Sequence, residues 1–402
     1  MAFATRSLVR QPARACVGVV GIAAVGALLF DMLLLSRGLV VSFRDLLDGV
    51  GFDVRVLATD AAPIGGPRLP DASAIARELS ALPEIAEAVP MRVTDAEVAS
   101  GGRPIACALV EMDPGRRRPW TLVAGSDLPG AMPQSAGGET APPLLVNRRL
   151  AGALGVSPGQ TVAVRVTCGA ERAAMRPTDF RVVGVADFPF DSAADMSAVA
   201  SRATVMATCG GVGEADQADM LLVASQDGYG ADAAVSAIRR RRPDLHPATN
   251  DEIVARMQQQ GFSYFRQISA VLSTITMLFG FLLIAVLLTV SVNQRLAEIA
   301  AVRALGFSRG RVAADVLSQS ALLVGTGGLL ALPLGAALSV WLDAILKKMP
   351  GIPAALHFFV FEPRALLLHA VLLALTAVLA AAYPMVLVTR LPIAATLRRE
   401  VV

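Results

Sequence analysis

The stretch ISAVLSTITMLFGFLLIAVLLTVSV, residues 268–292, decides the fold. No Asp, Glu, Lys or Arg interrupts it, and a helix needs ~20 such residues to cross the hydrocarbon core of a bilayer. Three other runs meet the same requirement. Residues 15–35 carry one charge, Asp31; residues 316–342 carry none; residues 365–388 carry only His369. The whole chain of 402 residues is 54% hydrophobic and 17% charged, with a mean hydropathy of +0.57. A soluble protein has ~45–50% apolar and ~25% charged residues, so the excess belongs in a membrane. These figures also exclude disorder.

Working outward, the chain divides into a cytoplasmic N-terminus (1–14), a first span (15–37) and a large domain of ordinary globular composition (38–260). A second span (261–292), a short link (293–314) and a third span (315–342) follow. The chain closes with an outer loop (343–364), a fourth span (365–388) and a tail (389–402). The expected fold class is therefore an α-helical membrane protein with four transmembrane helices and a large α+β extracytoplasmic domain between helices 1 and 2. The first run, flanked by Arg6, Arg10 and Arg14, also has the form of a signal peptide. Its length and the lack of a convincing cleavage site favour a retained helix. Arg295, Arg303, Arg309 and Arg311 in the link, and Arg390, Arg398 and Arg399 in the tail, fall on the same side as the N-terminal arginines. That side is cytoplasmic by the positive-inside rule, and a long domain is translocated largely regardless of its charge.

In the outer domain, residues 53–57, 89–98, 105–112 and 220–224 read as strands, and 71–82 and 231–241 as helices. A strand–helix–strand unit thus stands near each end. Between them, 120–213 reads as a β-rich insert with strands at 161–167 and 180–185 and a short helix at 147–154. Thr249, with Glu252 three residues on, has the form of a capping box. It opens a helix that runs toward the second span as a stalk, with Gly261 as its point of interruption.

Several chemistries are excluded. His246, His357 and His369 lie far apart without partners at metal-ligand spacing, and read as surface or interface residues. No nucleophile elbow occurs. A phosphate loop ends in Gly-Lys-Ser/Thr, but the lysines are Lys347 and Lys348, followed by Met349. Any ATP is bound by a partner subunit, and no cofactor is expected in this chain. A net charge of +3 from 36 basic and 33 acidic residues gives no footprint for nucleic acid. Of the four cysteines, Cys107, Cys168 and Cys209 fall in the outer domain. Cys168–Cys209 and Cys107–Cys168 are the bridges open to them. Three separate buried thiols is the favoured reading, because free cysteines are commonly buried.

Asp31 is costly in a membrane unless it faces protein or water. It reads either as a mark on a substrate path or as a group hydrated near the outer interface, with Arg37 as a partner. Gly327, Ala331, Gly335 and Ser339 repeat every four residues, so small side chains line one face of the third span. This face serves packing within one chain or a dimer seam. Pro333 invites a kink.

The link is the most informative segment: NQRLAEIAAVRALGFSRGR, residues 293–311. Leu296, Ile299, Val302 and Leu305 form an apolar stripe, Arg295 and Glu298 pair at i, i+3, and Gly306 sits where a helix C-cap would. A short amphipathic helix at the inner membrane surface is the direct reading.

Arg295-x-x-Glu298-Ile299-x-x-x-Arg303-Ala304-Leu305-Gly306 resembles the link signature of FtsX-like permeases, the membrane subunits of type VII ABC transporters. Tyr383-Pro384, Arg390-Leu391-Pro392 and Leu397-Arg398-Arg399-Glu400 resemble the family's closing segment. The start, a basic N-terminus and first helix followed by Gly51-Phe52-Asp53-Val54-Arg55 entering the outer domain, resembles that of the same family. Leu145-Val146-Asn147 through Leu154-Gly155-Val156-Ser157-Pro158-Gly159 and Phe180-Arg181-Val182-Val183-Gly184-Val185 are similar to the β-rich subdomain of MacB-like periplasmic domains. The resemblance implies a homodimer or heterodimer of permease chains, a separate ABC ATPase subunit and a surround of membrane lipids. A periplasmic adaptor or lipoprotein is a further candidate partner. It implies an ATPase-coupling helix built on Arg295, Glu298, Ile299, Arg303, Leu305 and Gly306. Gln319-Ser320 stands where many members have a glutamate. The functions implied are export or extraction of a lipid, lipoprotein or amphipathic molecule, or else FtsX-type signalling to a cell-wall hydrolase. The size of the outer domain is closer to the first.

Overall fold

A computed structural model describes residues 12–60, 66–113, 115–129, 141–168, 176–209, 216–260, 263–294, 308–360 and 363–390. The chain forms two compact units. One comprises Met1–Val40, Gln260–Ala344 and His357–Val402; the other comprises Val41–Gln259 and Ile345–Leu356.

The first unit is helical. Helix α1 spans Pro12–Gly49. It therefore runs past the end of the apolar stretch, because Ser42, Leu46 and Leu47 are buried beyond it. The outer unit then follows from Val54. Strands β1 (Val54–Leu57), β2 (Ile85–Ala99), β3 (Ile105–Met112), β4 (Thr121–Gly125) and β5 (Pro143–Asn147) are joined by helix α2 (Ala72–Ser80) between β1 and β2. Next come α3 (Arg148–Leu154), β6 (Thr161–Val166), β7 (Thr178–Asp187), β8 (Ser197–Ala200) and α4 (Arg202–Thr208). Strand β9 (Met220–Ser225), α5 (Ala231–Arg241), β10 (His246–Thr249) and α6 (Asn250–Gln260) end the domain, before α7 (Ser263–Asn293), α8 (Arg309–Leu346) and α9 (Pro363–Arg390).

The two strand–helix–strand units are one sheet. Strands run β10-β1-β9-β2 with every pairing antiparallel, the split β-α-β arrangement. Val54, Val56, Leu221 and Val223 turn to one face and pack on Ile75 and Leu79 of α2 and Ala234 and Ile238 of α5. The insert is not a separate layer. Strand β2 pairs with β9 through Met91 and with β6 from Ala96 to Ala99, while β3 takes its other edge. The circuit β2-β3-β8-β5-β7-β6 closes on itself, which removes open edges from these strands. Its interior holds Val98, Leu109, Leu144, Val146, Val164, Phe180 and Val182, all nearly inaccessible.

The cysteines depart from the expectation of three separate thiols. Cys168, just past β6, is bridged to Cys209 at the end of α4. The barrel circuit brings the ends of these elements together, which linear spacing did not disclose. Cys107 on β3 stays free and buried, and burial pushes its thiol up to about 12.

In the first unit, four helices are long and apolar enough to cross a membrane: Ala15–Gly49, Gln267–Val290, Leu317–Leu346 and Pro363–Ala382. Ile22, Leu29, Ile284, Leu288, Leu323, Val324, Leu373 and Ala377 form their common core. Val271, Phe279, Leu329, Val340, Trp341 and Leu367 are exposed, as lipid contact requires. Helix α8 continues through Pro333.

Candidate functional site

Three places in the chain are candidates for function. The first is the seam between α1 and α8. A Cβ at Gly327 would stand 2.6 Å from Ile22 Cγ2 and 3.2 Å from the Val19 carbonyl oxygen. One at Gly335 would stand 2.9 Å from Phe30. Ala331 is fully buried, and a Cβ added at Gly26 would come within 2.8 Å of its own. The small-residue face of α8 therefore packs against α1 within one chain, with helix axes drawn close by the missing side chains.

The same face ends at Ser339, whose hydroxyl donates to Asp31. Asp31 is fully buried and its Oδ2 has no hydrogen bond among the described residues. It faces protein rather than the outer interface. The side chain of its expected partner Arg37 lies outside the described residues. His369 of α9 corrects the surface reading: it is buried, lies 5.3 Å from Phe30 between ring centroids, and neither ring nitrogen has a described partner. Its place on an apolar helix gave no signal of that. His246 is half-exposed and His357 exposed, beside Asp60 and Asp343 at 3.3 and 3.5 Å. Among the described residues no group of His, Cys, Asp and Glu could hold a metal ion. Ser320, in the place of the expected glutamate, donates to the Ala377 carbonyl of α9 at 3.3 Å.

The second place is the root of α6. Thr249 caps this helix, accepting from the Glu252 backbone N–H at 3.1 Å. The Glu252 carboxylate faces Arg239 at 3.6 Å, instead of reaching back. The residue between, Asn250, is the hub that sequence reasoning missed. Its Nδ2 donates to Asp48 near the end of α1 at 2.7 Å and to the Phe52 carbonyl at 3.1 Å. Its Oδ1 accepts from Arg55 of β1. Arg55 is nearly inaccessible, and burial lowers its pKa to about 10 against the pull of Asp48 and Asp53. Arg44 and Asp251 add an exposed ion pair between α1 and α6 at 2.8 Å. Asp53 holds the Ser225 backbone N–H at 2.8 Å. The end of α1, the start of α6 and the sheet are thus tied at one buried polar node, and a buried node of this kind is costly to break.

The third place is the link. Arg295, Glu298, Ile299, Arg303, Leu305 and Gly306 lie outside the described residues, as do Gly261 and the closing motif after Arg390.

Four membrane-length helices, with an α/β domain between the first and second, define a polytopic membrane protein. The model of the FtsX-like permease C-terminal region matches residues 270–393, and that of the MacB-like periplasmic core domain matches residues 18–241, more than half of the chain. The chain belongs to the FtsX/MacB-like permeases, membrane subunits of type VII ABC transporters. Membership implies an ABC ATPase partner and a dimeric arrangement.

Among solved structures, the periplasmic region of MacB from Actinobacillus actinomycetemcomitans matches at 14% identity and a TM-score of 0.37, over 53% of this chain and 95% of that one. The extracellular domain of the noncanonic ABC-type transporter YknZ from Gram-positive bacteria matches at 11% identity and 0.33, over 49% and 98%. A domain of a permease protein from Porphyromonas gingivalis matches at 14% identity and 0.30, over 49% and 88%. No curated protein matches the chain.

Proposed function

We propose that this chain converts ATP binding and hydrolysis by a separate cytoplasmic ATPase into movement of its outer domain, for export or extraction of a lipid, lipoprotein or amphipathic substrate. It does so in the inner membrane with both termini cytoplasmic, a topology drawn from the arginine clusters. Arg295, Glu298, Ile299, Arg303, Leu305 and Gly306 seat the link helix on the ATPase; Gly327, Ala331 and Gly335 keep α1 and α8 together so that the bundle moves as a body. ATP stays with the partner subunit, and the second permease chain is a like or related copy. A periplasmic adaptor or lipoprotein takes up the outer movement.

The observation that carries this reading is the reach of α1. One helix runs from Pro12 to Gly49, and near its end Asp48 is bonded to Asn250 at the start of α6. Within the outer unit, that bond and the Arg55–Asn250 contact tie the end of α1 to α6 and to strand β1. Co-purification from membranes tests it: a polypeptide with a phosphate loop should accompany the full chain in stoichiometric amount. Its absence under conditions that preserve the fold would count against the reading.

A further inference from the structure

The segment that joins α8 to α9 does more than close a loop. Residues Ile345–Leu356 belong to the outer unit, and the chain returns to the helical unit at His357. Within the outer unit, Pro353 pairs in antiparallel fashion with Ser192, and the Ala354 N–H donates to the Asp191 carbonyl at 2.8 Å. The receiving turn between β7 and β8 is rigidly built. Asp191 Oδ2 accepts from Asn147 Nδ2 at 2.7 Å, and Asp191 Oδ1 accepts from Ser197 Oγ at 2.8 Å. Asn147 also donates to the Asp195 carbonyl at 2.8 Å and caps α3 through Leu150 N–H at 2.8 Å. Asp195 in turn accepts from the Ser192 N–H at 2.8 Å. The turn is thus locked to the barrel strands on both sides.

The other end of the segment is held as firmly within the helical unit. Phe358 N–H donates to Asp343 of α8 at 2.9 Å. The Phe358 oxygen and the Val360 nitrogen pass so near α1 that a Cβ at Gly38 would meet them at 2.5 and 2.6 Å. Only glycine admits that crossing. A loop with no mechanical task would need neither anchor, and exposed loops tolerate slack at little entropic cost.

We propose that residues 345–360 are a strap that carries displacement of α8 into the barrel part of the outer unit, with Asp191 and Asn147 as positioning residues for its docking. The strap is a second line of transmission beside the node at Asn250, and it rests on the functional reading above, which supplies the input movement. It carries load because both ends are pinned and the intervening chain is short.

The test is hydrogen–deuterium exchange on the complex of the full chain with its ATPase, with and without a non-hydrolysable ATP analogue. In the wild type, nucleotide should change exchange in segments 188–200 and 250–260. Four glycines inserted both after Gly351, where a Cβ meets nothing within 4 Å, and after exposed Ala355, between the docked Ala354 and the anchored Phe358, introduce slack on either side of the docking point. They should cut the response of 188–200 by at least about fivefold and leave that of 250–260 in place. An undiminished response of 188–200 would overturn the strap. No response of either segment in the wild type would overturn it together with the functional reading, so the two failures are distinguishable. Docking is checked independently with Ser192→Cys and Pro353→Cys. Antiparallel partners stand ~4.5–5.5 Å apart at Cα, inside the window for a disulfide. Oxidation of the full chain in membranes should protect both thiols from a maleimide tag; full tagging of folded protein would refute the docking.

Discussion

The side-chain amide of Asn250 donates to the Asp48 carboxylate at 2.7 Å across 202 positions of sequence. The same amide's oxygen is an acceptor for buried Arg55. One side chain therefore serves the end of α1, the start of α6 and strand β1. Asn250→Ala leaves a buried guanidinium short of a partner, a loss of about 2–3 kcal/mol for a hydrogen bond to a charged group. The expected outcome is a lowered unfolding midpoint, read from Trp120 fluorescence in a Trp341→Phe background. An unshifted midpoint would show that the node is ornamental.

At the α1–α8 seam the contacts discriminate between neighbouring glycines. Gly327→Ala and Gly335→Ala place a methyl within 2.6 and 2.9 Å of side chains on α1. Gly325→Ala meets nothing within 4 Å. Overpacking costs about 1–3 kcal/mol, so the first two should lower thermal stability in detergent while Gly325→Ala holds or raises it. Equal effects at all three positions would contradict the seam.

The bridge Cys168–Cys209 closes a separation of 41 residues between a strand end and a helix end. Removing it with Cys168→Ala and Cys209→Ala should destabilise the outer unit by roughly 2–4 kcal/mol. Thiol counting checks the assignment. Native protein should expose no reactive thiol from the outer unit, since Cys107 is buried with its thiol pushed up to about 12; unfolding without reductant should release Cys107 alone.

Glu111 supplies a pH dependence. Burial raises its carboxyl above the ordinary value, against smaller opposing effects of the Thr94 hydrogen bond, Arg92 and Arg202. A raised folded-state pKa gives stability that is complete below the unfolded value and is lost as pH rises through the folded one. Glu111→Gln should therefore remove a fall in unfolding free energy that the wild type shows from about pH 4 upward. Parallel pH profiles for the two proteins would contradict the assignment.

The spans were legible because a bilayer imposes length and excludes charge, two properties visible residue by residue. Strands β2, β3, β6 and β7 were legible from alternation, and α5 from its apolar face and the proline that follows. Strands β5 and β8 were not: Leu144, Leu145 and Val146, and Ala198, Val199 and Ala200, are buried on both faces without alternation, in runs shorter than the equally buried β9. Strand β10 contains Pro247, which spoils a strand pattern but is tolerated because β10 is the edge strand of the sheet, paired on one side only with β1. The extension of α1 was hidden because Arg44, Asp45 and Asp48 look like the start of a soluble domain. The Asp31–Ser339 and Asn250–Asp48 contacts join residues 308 and 202 positions apart; composition and spacing hold no record of such pairings.

The central claim is that a partner ATPase drives this chain through the link. Its most direct measurement compares nucleotide-dependent hydrogen exchange of segment 250–260 in the reconstituted complex for the wild type and for Glu298→Ala/Arg303→Ala. The account predicts that the double variant inserts and folds normally and that its response falls by about tenfold or more. A full response in the double variant would contradict the claim.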